Sequence, residues 1–164
     1  MTRRVLSICH NHPSVRPGGV EAYAYELHRK LRASEDYESI FLCKGGPPVG
    51  HVGGLHSGTY FEPSGNGDDE YFFYTDGYSY DYLLGTQTGK DFYWRHFRDF
   101  LLAFEPDIVH FQHTLFLGYD MIREVKNTLP DAPIIYTLHE FLPICHRDGP
   151  VSYTHLTLPT TPYV

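Results

Sequence analysis

Short apolar runs alternate with amphipathic helices along this chain, and this alternation limits its fold more than any other feature. The chain opens with a strand over about residues 4–10 and a helix over about residues 20–34, whose apolar positions recur at helical period. Later apolar runs have the length and the β-branched content of strands buried on both faces: SIFLCKG, DIVHFQH and PIIYTLHEF. The pattern predicts an α/β fold, a Rossmann-like doubly wound parallel sheet.

Two further helices are predicted between the later strands. KDFYWRHFRDFLLAFEPD carries an aromatic stripe at the spacing of one helix face, which is typical of a helix packed on a sheet. GYDMIREVKNTL follows DIVHFQH and ends at a Pro-Asp stop. We assign core packing and no chemistry to the aromatic stripe.

Length and charge exclude several classes of protein. The 164 residues suit one globular domain with a sizeable core, and two full α/β domains would not fit. The formal charge of -7 argues against nonspecific binding to nucleic acid, which rewards an excess of Lys and Arg. No segment approaches transmembrane length, while peripheral membrane association stays an open alternative. The odd number of well-separated cysteines favours a reducing cytoplasm.

The segment from Gly45 to Gly89 has a composition of its own. It holds eleven of the fifteen glycines and six acidic residues but no Lys or Arg, so it carries -6 of the -7. TYFEP and EYFFYTDG flank the turn-rich SGNGDD, which predicts two strands joined by a loop, in an irregular or hairpin insertion rich in Gly and Tyr. Its tyrosines could stack on a sugar, but we favour packing on an adjoining core: Tyr71, Tyr74, Tyr78, Tyr80 and Tyr82.

Three of the predicted strands end in histidine, and paired glycines follow the first of them. His10, His113 and His139 should meet at one edge, because the carboxyl ends of parallel strands share an edge where ligands bind. Gly18 and Gly19 precede a helix whose free N–H groups attract anions. Alternatively, the glycines only permit a tight turn. Neither a dinucleotide fingerprint nor a phosphate loop of standard spacing is present.

Metal binding is the rival interpretation of these histidines. HNH and HFQH place His10 with His12 and His110 with His113, but residues three apart in a strand point to opposite faces. No motif of zinc-ligand spacing supports them, and no basic surface supports a nuclease. We expect no metal and no cofactor.

Three segments together resemble a known family. GGVEAYAYELHRKL after the first strand, EPDIVHFQHTLFLGYDMI, and PIIYTLHEFLPICHRDG are similar to the N-terminal half of a retaining glycosyltransferase of the GT-B type, of family 4. That family includes sucrose and glycogen synthases and many bacterial polysaccharide glycosyltransferases. The resemblance implies one of two facing Rossmann-like domains, with an NDP-sugar donor and a glycan or small-molecule acceptor.

The resemblance also implies roles for individual residues. Gly18 and Gly19 would face the donor diphosphate, and His139 would lie near the transferred sugar as the catalytic candidate. Glu140 stands beside it in an H-D/E pair, and His113 matches a position near the cleft, so both are substrate-binding candidates with His10. We expect the sugar to pass from the NDP-sugar to the acceptor without a metal, because backbone N–H groups can hold the charge of the departing diphosphate and the chain has no Asp-x-Asp motif.

The resemblance covers residues 3 to 149 and leaves out the donor-binding domain. We therefore expect residues 1–149 to form the acceptor-side domain, residues 150–164 to be a disordered and non-native tail, and the fragment to be inactive. Two other functions stay open. One is a free-standing binding or regulatory module, and the other is an NAD-dependent oxidoreductase, against which the missing fingerprint counts.

Overall fold

The computed structural model of the chain describes residues 2–45, 60–65, 67–74, 80–87 and 90–140. Eight strands and three helices follow one another in these ranges: β1 (Arg3–Cys9), α1 (Gly19–Arg32), β2 (Tyr37–Gly45), β3 (Tyr60–Pro63), β4 (Glu70–Tyr74), β5 (Tyr80–Asp81), β6 (Thr86–Gln87), α2 (Lys90–Phe104), β7 (Ile108–Phe111), α3 (Asp120–Thr128) and β8 (Ile134–Tyr136).

Six of the strands form one sheet in the order β3-β4-β2-β1-β7-β8. Every neighbouring pair is parallel except β3 and β4, which form an antiparallel hairpin at one edge. From β1 the chain first builds outward to β2 and then returns to place β7 on the other side of β1. The strand order therefore reverses between β1 and β7, and this is where doubly wound folds bind ligands.

Helices cover both faces of the sheet, as the buried strands require. Cys9 and Cys43 pack under α1 in a small cluster that includes Ala24. The larger core lies on the opposite face and joins Leu6 and Ile8 to apolar residues of α2 and α3: Phe97, Leu101, Phe104, Met121 and Val125. Successive residues of β1 thus serve opposite layers, which confirms the predicted doubly wound α/β fold.

The predicted hairpin insertion is confirmed, and it belongs to the main sheet. β3 and β4 pair across the turn-rich segment, and β4 adds to β2 in parallel. Tyr71 packs on Phe100 of α2 with ring centroids 5.5 Å apart, as expected for tyrosines that cover a core. The short β5–β6 hairpin escaped prediction, because each of its strands has only two residues.

The later strands are shorter than the apolar runs suggested. β7 ends at Phe111, so His113 lies in the following loop, and the argument that it faces opposite to His110 within a strand was wrong. β8 ends at Tyr136, three residues before His139. Several predictions fall outside the described residues: those for Tyr78, Cys145 and residues 150–164, as well as for the side chains of Tyr74 and Tyr93.

The described helices are short. None of the three has both the length and the apolar character needed to cross a bilayer.

Candidate functional site

The carboxyl ends of β1, β7 and β8 bring histidines together beside the start of α1. His10 directly follows β1, and its ring centroid lies 4.4 Å from that of His113, two residues beyond β7. His139, beyond β8, meets the ring of Tyr23 from α1 at 5.3 Å. The predicted site histidines therefore share one edge at the point where strand order reverses, as the sequence predicted.

Glu21, in the first turn of α1, organises the side of the site that faces β1. Its Oε1 lies 3.0 Å from Nε2 of His10 and accepts a hydrogen bond of 3.1 Å from the Asn11 amide. The Glu21 side chain is only 6% exposed, so a carboxylate is buried here between two donors. The sequence analysis did not place Glu21 in the site, because nothing local shows that its side chain turns back towards β1.

Gly18 is the residue that lets this carboxylate lie against the backbone. It is the N-cap of α1 with extended φ and ψ, and a Cβ built on it would lie 2.4 Å from Oε2 of Glu21. A Cβ built on Gly19 would meet nothing within 4 Å. The close approach of the Glu21 carboxylate thus explains why position 18 is a glycine. Gly19 instead leaves open space at the helix start, where unpaired N–H groups can face an anion.

This difference between the two glycines gives a matched pair of variants. We expect Gly18→Ala to lower the free energy of unfolding by about 1–3 kcal/mol, because it displaces a buried carboxylate from its donors. Gly19→Ala should be neutral or stabilising by up to about 1 kcal/mol, since alanine suits a helix start. Urea unfolding of both variants measures the difference. Equal losses in the two variants would contradict the assignment of Gly18 to the Glu21 contact.

His113 and Glu140 form a second pair, in which only the histidine is buried. The backbone N–H of Leu115 donates to Nδ1 of His113 at 2.9 Å, so the proton is on the other nitrogen, and Nε2–H donates to Oε1 of Glu140 at 2.6 Å. The partner carboxylate is half-buried. Two substrate-binding candidates are therefore joined to each other, and one imidazole tautomer is selected.

His139 is oriented by Gln112, a residue that the sequence analysis missed. Nε2–H of His139 donates to Oε1 of Gln112 at 3.0 Å, and the Gln112 amide nitrogen lies 3.1 Å from Nε2 of His110. Gln112 is fully buried, and His110 is held further by Thr137 at 2.7 Å. The bond to Gln112 leaves Nδ1 of His139 as the acceptor of the ring, and no contact in the described ranges uses that atom.

Burial keeps His10, His110 and His139 neutral. It lowers the pKa of His10 to about 3, with smaller contributions from His113, Arg16, Lys44 and His139. Burial also lowers the pKa of His139 and His110. Neutral imidazoles can bind hydroxyl groups as donors and acceptors without adding a positive charge.

The buried thiol beside the site is not a nucleophile. Burial raises the pKa of Cys9 to about 12, so the reactive thiolate is absent at neutral pH. The edge therefore offers hydrogen-bonding groups for hydroxyls and anions, while Cys9 offers no thiolate for covalent catalysis.

One other cluster in the described ranges has residue types that bind metals. His28, Asp69 and Glu70 can bring one ligand atom each within 4.8 Å of one another. Nε of Arg32 already lies 2.8 Å from Oδ2 of Asp69, and His12 and Tyr25 donate to Glu70 at 3.1 and 2.8 Å. A guanidinium and these donors supply the positive charge and hydrogen bonds that a cation would, so the cluster is explained by packing α1 on β4.

Comparison with protein families matches residues 17–161, most of the chain, to Glycosyltransferase Family 4. Neither a search of curated proteins nor a search of solved structures found a match.

Proposed function

The chain belongs to Glycosyltransferase Family 4 and forms a domain of the GT-B type, and from that premise we propose that it is the acceptor-side half of a retaining glycosyltransferase. Such an enzyme moves a hexosyl group from an NDP-sugar to a glycan or a small-molecule acceptor. The observation that carries the proposal is that His10, His113 and His139 lie beside α1 at the carboxyl edge of the sheet, where the strand order reverses. The family favours a transferase over an NAD-dependent oxidoreductase.

The proposed roles follow from what glycosyl transfer requires. The departing nucleoside diphosphate gains negative charge, which the free N–H groups at the start of α1 can hold without a metal. The sugar becomes cationic and must be held by its hydroxyls. Nδ1 of His139, left as an acceptor by the bond to Gln112, suits one of these hydroxyls.

The pairs around this site keep its geometry rigid. Glu140 holds the ring of His113, and Glu21 holds that of His10, so both rings are fixed before a ligand arrives. Fixed donors and acceptors cost no reorganisation during the reaction. We place the enzyme in the cytoplasm, in keeping with the free, buried thiols of Cys9 and Cys43.

A transfer assay with radiolabelled UDP-glucose and GDP-mannose tests the proposed function in the full-length enzyme. We expect label to move to an acceptor with retained anomeric configuration. Absence of transfer and of donor hydrolysis with a panel of NDP-sugars would contradict the proposal.

The 164-residue chain by itself should bind donors only weakly. It holds one Rossmann-like domain, and the proposed donor site needs a second wall to supply base and ribose contacts. Two or three phosphate hydrogen bonds, each worth roughly 0.5–3 kcal/mol, are offset by the ordering of the ligand, which leaves a dissociation constant of about 1 mM or weaker. Calorimetric titration with UDP-glucose and GDP-mannose measures it. Micromolar binding or sustained turnover by this chain would contradict the two-domain site.

A further inference from the structure

A buried lysine lies next to the proposed site without a carboxylate partner. Lys44 is near the end of β2, where Cys43 is in register with Cys9, so the next position on each strand places Lys44 opposite His10. Lys44 is 3% exposed. Lysine is almost never buried to this degree unless its charge is paired.

The described ranges of the chain supply neither an ion pair nor a hydrogen bond to Nζ of Lys44. Nζ of Lys44 instead faces the ring of Phe116, whose centroid lies 5.5 Å away. Two acidic residues of the described ranges have other partners: Glu21 is engaged by His10 and Asn11, and Asp81 accepts the backbone N–H groups of Leu83 and Leu84. The face of an aromatic ring stabilises a cation only partly, so burial of the Lys44 ammonium group costs free energy. Packing alone gives no reason for that cost.

The ring that faces Lys44 is held in an unusual backbone conformation. Phe116 has φ of 62°, in the left-handed region that bulky residues rarely adopt, and its carbonyl accepts a hydrogen bond from the side chain of Gln87. Tyr80 and Tyr82 of the β5–β6 segment each lie 5.7 Å from the same ring. Tyr82 is 53% exposed, so this aromatic group has an open side.

We propose that Lys44 binds an anionic group, a phosphate or a carboxylate, carried by the sugar acceptor, while the ring of Tyr82 or Phe116 covers the sugar. Aromatic faces suit the apolar face of a sugar ring, and an otherwise unpaired ammonium gains most from a charge-assisted hydrogen bond. The proposal rests on the proposed transferase function and adds the class of acceptor. Burial lowers the pKa of Lys44, and a bound anion would raise it again.

NMR of the full 164-residue chain with ¹³Cε-labelled lysine tests this directly. The probes are glucose 1-phosphate, glucuronate, uncharged methyl glucoside and UDP. We expect the Lys44 signal, assigned by its loss in Lys44→Met, to shift saturably with one of the two anionic sugars. Methyl glucoside should cause no shift, and glucose 1-phosphate or glucuronate should act at a lower concentration than UDP.

Two variants separate recognition from folding. Lys44→Met should weaken binding of the anionic sugar about tenfold or more, which is the loss of one charge-assisted hydrogen bond. Lys30→Met, which removes an exposed lysine of α1, should leave binding unchanged. If Lys44→Met does not fold, the Lys44 signal is assigned by elimination, from the signals lost in Met variants of the other three lysines of the chain, Lys30, Lys90 and Lys126.

Three outcomes would overturn the proposal: no shift of the Lys44 signal with any anion, an equal shift with methyl glucoside, or a stronger response to UDP. The last would assign Lys44 to the donor. The test uses no turnover, so a missing glycosyltransferase activity would overturn the proposed function while leaving anion binding by Lys44 as a separate result.

Discussion

Replacing His139 with alanine in the full-length enzyme is expected to lower turnover about a hundredfold or more, with little loss of stability. The variant removes the Nδ1 acceptor that the bond between Nε2 and Gln112 leaves in the ring, and one lost positioning or acid-base group has an effect of that order. The imidazole is only partly buried and stands beyond the end of β8, so few core contacts are lost.

The readout is kcat and KM of sugar transfer beside the melting temperature of the same preparations. His139→Asn serves as the matched control, because its side-chain carbonyl can take the place of Nδ1 and should keep part of the activity. Near-normal turnover with a collapsed melting temperature would identify His139 as a structural residue and would remove it from the proposed site.

Acidification is expected to destabilise the domain through His10. The unfolded chain takes up a proton near the ordinary pKa of 6.5, whereas burial holds the folded pKa at about 3, so the folded state binds fewer protons between these values. The contribution of neutral His10 to the free energy of unfolding is therefore fully present above pH 6.5 and is lost as the pH falls towards 3. The loss is roughly 1.4 kcal/mol for each pH unit, or about 2 kcal/mol between pH 7 and pH 5.

His10→Gln isolates this effect from the other histidines whose pKa burial lowers. The glutamine amide can still donate to Glu21 in place of Nε2–H, but it does not titrate. Urea unfolding at pH 5, 6 and 7 should show a smaller loss of stability in the variant than in the wild-type chain. Parallel pH profiles for the two proteins would contradict a buried neutral His10.

Local patterns were enough to predict the architecture. The spacing of apolar residues, with a period of two in strands and 3.6 in helices, depends only on neighbours along the chain. It therefore predicted β1, α1, α2 and α3 with boundaries close to those observed. The β3–β4 hairpin followed from its turn residues. The rule that parallel strands share a carboxyl edge then predicted that His10, His113 and His139 lie together.

The partners of those residues could not be predicted in this way. Glu140 meets His113, and Gln112 meets His139, across 27 residues of sequence in each case, and these contacts depend on the register of β7 and β8. Lys44 ends an apolar run beside paired glycines, an unusual place for a lysine. That its ammonium group faces a ring and no carboxylate in the described ranges depends on how the surrounding elements pack.

The sequence by itself thus determined which segments are strands and helices, the edge of the sheet that carries the histidines, and the family. Each of these depends on the order of residue types along the chain. Only the tertiary structure decided that β4 extends the sheet beyond β2, that Glu21 turns back to His10, and that Lys44 is buried beside Phe116. Those facts depend on long-range packing, in which a side chain takes its partner from whichever element the whole fold brings next to it.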